Sequence, residues 1–139
     1  MENNVKIEIQ TTVNAPINKV WDFWNLPEHI EHWYFASPDW HCPKAENDLH
    51  ISGKFNYRME AKDGSFGFDF EGVYENVIVN ELIIYGLADG RKVKIEFTCK
   101  GNETTIKETF DPENDNPIEL QRGGWQAILD NFKKYIESN

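Results

Sequence analysis

Three short turns, Asp63-Gly64, Asp89-Gly90 and Gly101-Asn102, each separate two stretches in which apolar and polar residues alternate. Alternation is the period of a strand with one buried face, and such a dipeptide between two strands marks a tight hairpin, so each turn fixes which residues oppose one another. With Asp63-Gly64 central, Met59 faces Phe68, Tyr57 faces Phe70 and Phe55 faces Gly72, while Arg58 meets Asp69 on the other surface. Gly101-Asn102 sets Phe97 against Ile106 and Val93 against Phe110, with Glu96 opposite Lys107. Asp89-Gly90, taken the same way, pairs Val93, Ile95 and Phe97 with Gly86, Ile84 and Leu82, and sends Tyr85 and Ile83 to the surface of Lys94 and Glu96. A one-residue slip would turn every side chain over, so an apolar face shared by all the hairpins is a strong constraint. The expectation is a five-strand meander from about Leu49 to Phe110.

The flanks supply the remaining elements. Val5, Ile7, Ile9, Thr11 and Val13 alternate with polar residues, which predicts a first strand over Val5–Val13 joined to the same sheet. Ala15-Pro16 then opens a helix in which Ile17, Val20, Trp21 and Trp24 recur at helical spacing. Pro27 begins a second short helix carrying Ile30 and Trp33 and ending in the run Trp33-Tyr34-Phe35. After the polar segment Asp111–Pro117, Trp125, Ile128, Leu129, Phe132 and Ile136 form one apolar stripe of a long terminal helix. Gly123 and Gly124 early in that helix each cost about 1 kcal/mol relative to alanine, which predicts a close approach or a bend there. The fold class is therefore α+β: a curved antiparallel sheet of about six to seven strands wrapped around a C-terminal helix, as one domain over residues 1–139.

Composition narrows the partners. Nine Phe, five Tyr and five Trp are a large supply of bulky apolar groups for one core or one pocket. A formal charge of −10 argues against nucleic acid and against anionic membrane surfaces, because both are held by concentrated Lys and Arg. Met1–Lys6 lacks the apolar run of a targeting segment, and no stretch approaches the roughly 18 apolar residues of a membrane span, so a soluble cytoplasmic protein is expected. Cys42 and Cys99 lack metal-ligand spacing and read as reduced thiols.

Local motifs carry a family resemblance. Asn14-Ala15-Pro16 with Val20-Trp21, then Leu26-Pro27-Glu28 and Trp33-Tyr34, are similar to the opening of the START-like (SRPBCC, birch-pollen-allergen-like) superfamily. Gly53-Lys54-Phe55, Asp63-Gly64 and Gly72 resemble its middle, and Gly124-Trp125 the Gly-Trp pair before its last helix. The chain departs from the pattern at Ser52-Gly53, where a Gly pair is common, and at Trp33-Tyr34, where a Trp pair is common. Within the superfamily it most resembles the group of the C-terminal domain of activators of the heat shock protein 90 ATPase. That resemblance implies a helix-grip fold, often with a cavity, among proteins that carry small ligands, cyclise polyketides or assist chaperones. Fold alone does not choose among these.

The concave face is expected to carry Phe55, Tyr57 and Met59, then Phe68, Phe70 and Tyr74, then Ile84, Val93, Ile95 and Phe97, then Ile106 and Phe110. They face Trp125, Ile128, Leu129 and Phe132. These groups either fill a core or line a small-ligand pocket. On the second reading the ligand-binding residues are Trp33, Phe55, Tyr57, Met59, Phe68, Phe70, Tyr74, Ile95, Phe97, Glu108, Phe110, Trp125 and Leu129. Glu108 stands out, since the Gly101-Asn102 register turns it inward opposite Ile95, where a charge is expensive. It is a polar anchor or an acid/base group on a cavity wall, or else it reaches water or a hydroxyl such as Tyr57 or Tyr74.

All four histidines, His29, His32, His41 and His50, precede residue 51, and His29 and His32 have a spacing compatible with a shared metal. His41-Cys42 and His50 add no zinc-motif spacing, so neither metal nor cofactor is expected. No Gly-x-Ser-x-Gly elbow, phosphate loop or dinucleotide fingerprint occurs. The function expected is binding of a small apolar or amphipathic ligand in an internal cavity, without catalysis. Two alternatives stay open: a chaperone-associated interaction domain, and a cyclase-like or hydrolytic enzyme using Glu108 with a rim histidine such as His41.

Overall fold

The computed structural model describes residues 5–139. Met1 to Asn4, part of the stretch read for a targeting segment, lie outside the described residues. The elements run β1 (Ile7–Val13), α1 (Ile17–Asn25), α2 (Pro27–Ile30), β2 (Trp40–Asn47), β3 (Lys54–Ala61), β4 (Gly67–Ile78), β5 (Leu82–Gly86), β6 (Lys92–Lys100), β7 (Glu103–Phe110) and α3 (Ile118–Glu137). All seven strands form one curled antiparallel sheet in the order β1-β7-β6-β5-β4-β3-β2, a half-barrel closed by α3. This is the helix-grip arrangement that the sequence predicts.

Two of the three predicted registers hold. Met59 opposes Phe68, Tyr57 opposes Phe70 and Arg58 opposes Asp69. Val93 opposes Phe110, Phe97 opposes Ile106 and Ile95 opposes Glu108.

The Asp89-Gly90 register is off by one residue. Val93 pairs with Tyr85 and Ile95 with Ile83, so these two residues, predicted outside, face inward at 5% and 1% exposure. Ile84, predicted inside, pairs with Lys94. The cause is loop length. Leu87 N–H donates to the Arg91 carbonyl at 2.9 Å and Gly90 N–H to the Leu87 carbonyl at 3.0 Å, leaving three residues in the loop. Gly90 sits at φ +93°, the left-handed residue that closes a type I turn into a hairpin with a bulge.

β2 was not anticipated as a strand. Its buried residues, Cys42 and Ala45, are three apart because the register shifts between His41 and Lys44, so period two is lost. Pro43 lies in that irregularity of an edge strand, where a missing N–H is tolerated. The first strand begins at Ile7 rather than Val5, and the meander at Lys54 rather than Leu49.

α1 and α2 turn the chain from β1 onto the end of the half-barrel, with Val20, Trp21, Trp24 and Ile30 buried. Against them α3 buries Leu129, Phe132 and Ile136. Trp24 meets Trp33 and Phe132 at ring-centroid distances of 4.9 Å each, and Phe97 at 5.8 Å. Such pairs add about 0.5–1.5 kcal/mol each beyond the area they bury, so this knot anchors the helical corner to sheet and α3 together. The close approach expected at Gly123-Gly124 is absent, for a Cβ at either would meet nothing within 4 Å.

Candidate functional site

Inside the half-barrel, where the helical corner meets α3, the side chains leave a cavity of about 20 Å³. That is room for about one water. Trp24 and Trp33 form its helical side, Tyr57 and Tyr74 come from β3 and β4, Ile83 and Tyr85 from β5, and Ile95 from β6. Tyr34, Trp125 and Ile128 close it, and Glu108 of β7 supplies the one carboxyl in the lining.

The β6–β7 register, set by the Gly101-Asn102 turn, dictates where Glu108 points. Its cross-strand neighbours are Ile95 on one side and Ile9 on the other, both buried. At 6% exposure it has no hydrogen bond or ion pair to another described residue and opens onto the cavity, whereas the fully enclosed side-chain atom without a partner among the described residues is Asn25 Oδ1. Burial alone pushes its pKa up to about 8, so the carboxyl holds its proton at neutral pH. The lysines next to it on these strands face outward, Lys107 to Glu8 at 2.8 Å and Lys94 to Glu96 at 3.8 Å.

Four phenols share this interior. Burial raises the pKa values of Tyr34, Tyr57 and Tyr85 well above the usual tyrosine range, with Glu108 adding to the rise at Tyr34 and Tyr85. Tyr74 is pushed up to about 12, again chiefly by burial. Its hydroxyl donates to the Asn47 side-chain oxygen at 2.5 Å. The site is thus a neutral polar cluster with aromatic walls, able to offer hydrogen bonds but holding no positive charge.

The residues proposed from sequence divide into groups. Trp33, Tyr57, Tyr74, Ile95, Glu108 and Trp125 line the cavity. Phe55, Phe97, Phe110 and Leu129 are buried in the core around it, and Met59 is buried outside that cluster. Phe55 supports Tyr57 and Tyr85 from behind at 4.8 Å and 4.7 Å, and Phe110 stacks on Trp125 at 3.9 Å. Phe68 keeps the predicted face, opposite Met59, but it is 40% exposed and clusters with Trp40 and Phe66 rather than lining the cavity. Tyr85 and Ile83 were missed through the slipped register. Trp24 and Tyr34 were seen only as helix and motif residues, although the Trp33-Tyr34-Phe35 run marked where the chain turns in.

Phe70 occupies a boundary. Its ring meets Tyr34 at 5.9 Å and Trp125 at 6.0 Å, while its outer side borders an open groove of about 710 Å³. This groove lies between β4 and the β5–β6 loop, where Leu87, Ala88 and Arg91 form the far bank. β4 pairs with β5 only from Val73 onward, so residues 67–72 have β3 as their ladder partner. Gly72 is required there, because a Cβ would stand 2.6 Å from the Phe55 ring.

The histidines have other occupations. His29 hydrogen-bonds the Tyr135 hydroxyl at 2.8 Å, and His32 stacks on the same ring. His41 lies 3.9 Å from Glu60 on β3, away from the cavity lining, and His50 lies 2.9 Å from Asp48. No group of three or more potential metal ligands occurs among the described residues. Cys42 is a free buried thiol pushed up to about 12, and Cys99 is free and exposed. No helix of the described residues is long and apolar enough to cross a membrane.

Comparison with known proteins places this architecture. The family model described as Activator of Hsp90 ATPase homolog 1-like protein matches residues 14–137. An AHSA1-like protein from Aeromonas hydrophila, solved in solution, is 41% identical with a TM-score of 0.91, over 96% of this chain and 93% of that one. A Cytophaga hutchinsonii protein, also solved in solution, is 57% identical with a TM-score of 0.83, over the same shares of 96% and 93%. A Staphylococcus aureus protein described as of unknown function shares the fold at 17% identity and a TM-score of 0.71, over 96% and 94% of the two chains. No curated protein matches. The chain belongs to the family of activator of Hsp90 ATPase homolog 1-like proteins.

Proposed function

We propose that the chain binds a small apolar or amphipathic molecule in the interior of the half-barrel, with a polar group of that molecule meeting Glu108. The observation that carries this reading is a carboxyl in an aromatic wall without a partner. An apolar residue would fill a core at less cost, since a buried polar group with no protein partner loses roughly 1–3 kcal/mol unless a water or a ligand in the cavity pairs with it. Retaining Glu108 among Ile9, Ile95 and four tyrosines makes sense when something else supplies the missing hydrogen bond. The space of about 20 Å³ fits a head group alone, so a larger occupant displaces Phe70 or Trp125, both only half-buried.

Thermal unfolding with a panel of neutral and charged amphiphiles tests it. A ligand at about a hundredfold excess over its Kd stabilises by about 2.7 kcal/mol, which moves Tm by several degrees. Ile95→Phe, which fills the cavity, should reduce the shift. A Tm unmoved by every amphiphile, or moved equally in Ile95→Phe, overturns the reading.

A second reading rests on a separate feature. Trp40, Phe66 and Phe68 cluster on the surface with centroids 6.0 to 6.3 Å apart, and Phe66 is 62% exposed. An exposed aromatic patch suits protein contact. Together with the family it supports a chaperone-associated role, tested by whether Phe66→Ser abolishes capture of an added chaperone while leaving any cavity ligand bound.

A further inference from the structure

We infer that the molecule bound in the cavity is a primary organic ammonium, whose water-sized head group pairs with Glu108 inside an aromatic cage while its apolar tail runs past Phe70 toward the groove beside β4. This deepens the binding reading and rests on it.

Ile9 of β1 is the cross-strand neighbour of Glu108 outside the lining, and the other groups share the cavity with it. They are the phenols Tyr34, Tyr57, Tyr74 and Tyr85, the indoles Trp24, Trp33 and Trp125, and the aliphatic Ile83, Ile95 and Ile128. No Lys, Arg or His is among them. The interior therefore has a latent negative charge, acceptor oxygens on four phenols and ring faces with negative quadrupoles, but no cation. Cations are attracted to such faces by about 0.5–2 kcal/mol, more as the site is drier. A neutral alcohol or amide head group would gain the hydrogen bonds and forgo both the ring faces and the ion pair.

Size selects within cations. An –NH₃⁺ group is close to a water in volume and donates three hydrogen bonds, which one carboxylate and two hydroxyls accept. A guanidinium or a trimethylammonium is several times larger than the roughly one-water space. Phe70 sits where the tail would leave, touching the cavity residues Tyr34 and Trp125 on one side and bordering the open groove on the other.

Free protein holds Glu108 as the acid, and the ammonium binds the carboxylate, so R–NH₃⁺ plus Glu–COOH gives the R–NH₃⁺ and Glu–COO⁻ pair plus one proton to solvent. Affinity therefore rises as pH climbs toward the pKa of about 8 and falls once the amine itself deprotonates, near pH 10.

Isothermal calorimetry at neutral pH, with octylammonium and octanol in two buffers of different ionisation enthalpy, tests the inference. Octylammonium should bind on the order of tenfold or more tighter than octanol and release close to one proton, because a paired charge in a dry site outweighs a neutral hydrogen bond. Glu108→Gln, nearly isosteric with the protonated acid, should fold normally and lose both that preference and the proton release. Octanol bound as tightly as octylammonium, no proton release, or an unaltered preference in Glu108→Gln overturns the inference and leaves the cavity reading standing. Binding of neither probe overturns the inference, and the amphiphile panel then decides the cavity reading.

Discussion

At the scale of single residues, Glu108 couples folding to pH in an unusual direction. Its carboxyl has a folded-state pKa of about 8 against an ordinary value of 4.5, so between those values the folded chain holds a proton that the unfolded chain has released. Stability contributed by that proton is intact below about pH 4.5 and declines as pH rises to about 8, at up to about 1.4 kcal/mol per pH unit. Glu108→Gln keeps the shape and removes the titration. We expect the variant to be more stable than the parent at about pH 8.5, by several kcal/mol at most, and to differ little at about pH 5. Denaturant melts at the two pH values measure this, and a parallel pH dependence in both proteins would refute it. The inward aim of Glu108 was legible because Gly101-Asn102 closes the hairpin with the loop length assumed for it. Tyr85, equally inward, was illegible because the loop before β6 holds one residue more.

Elements explain that difference. A dipeptide such as Asp-Gly announces a hairpin but serves loops of two, three or four residues, and each extra residue turns the following strand over. Tyr85 and Ile83 thus fell to the wrong face although their strand was placed correctly. In β2 the shift near Pro43 spread the buried residues to a spacing that no strand pattern anticipates. The long helix was easy by contrast, because five apolar residues keep one stripe. Glycines test these assignments in opposite directions. Gly90→Ala forces a side chain into the left-handed region at φ +93° and should destabilise by about 1 kcal/mol. Gly123→Ala places a methyl in open space on α3 and should stabilise by roughly 0.5–1 kcal/mol. Chemical denaturation resolves both, and the same sign for the two changes would contradict the assignments.

Over the whole molecule, 24 carboxylate residues against 14 cationic ones leave an excess of repulsion. Exposed pairs such as Lys107 with Glu8 contribute little, in the range of about 0–1 kcal/mol, so screening the net charge should outweigh weakening the pairs. We expect Tm to rise when ionic strength goes from about 0.01 M to about 0.15 M, as the Debye length shrinks from about 30 Å to about 8 Å. A fall in Tm would mean that the pairs dominate. The same curled sheet that shelters the cavity has an unlaced seam, since residues 67–72 of β4 are tied to β3 but not to β5. Between that stretch and β5 there is no ladder bond to break, and the ring that packs there is Phe70, against Tyr34 and Trp125. On the binding reading proposed above, a guest larger than a water would enter here against side-chain packing alone, with every strand pairing of the half-barrel kept in register.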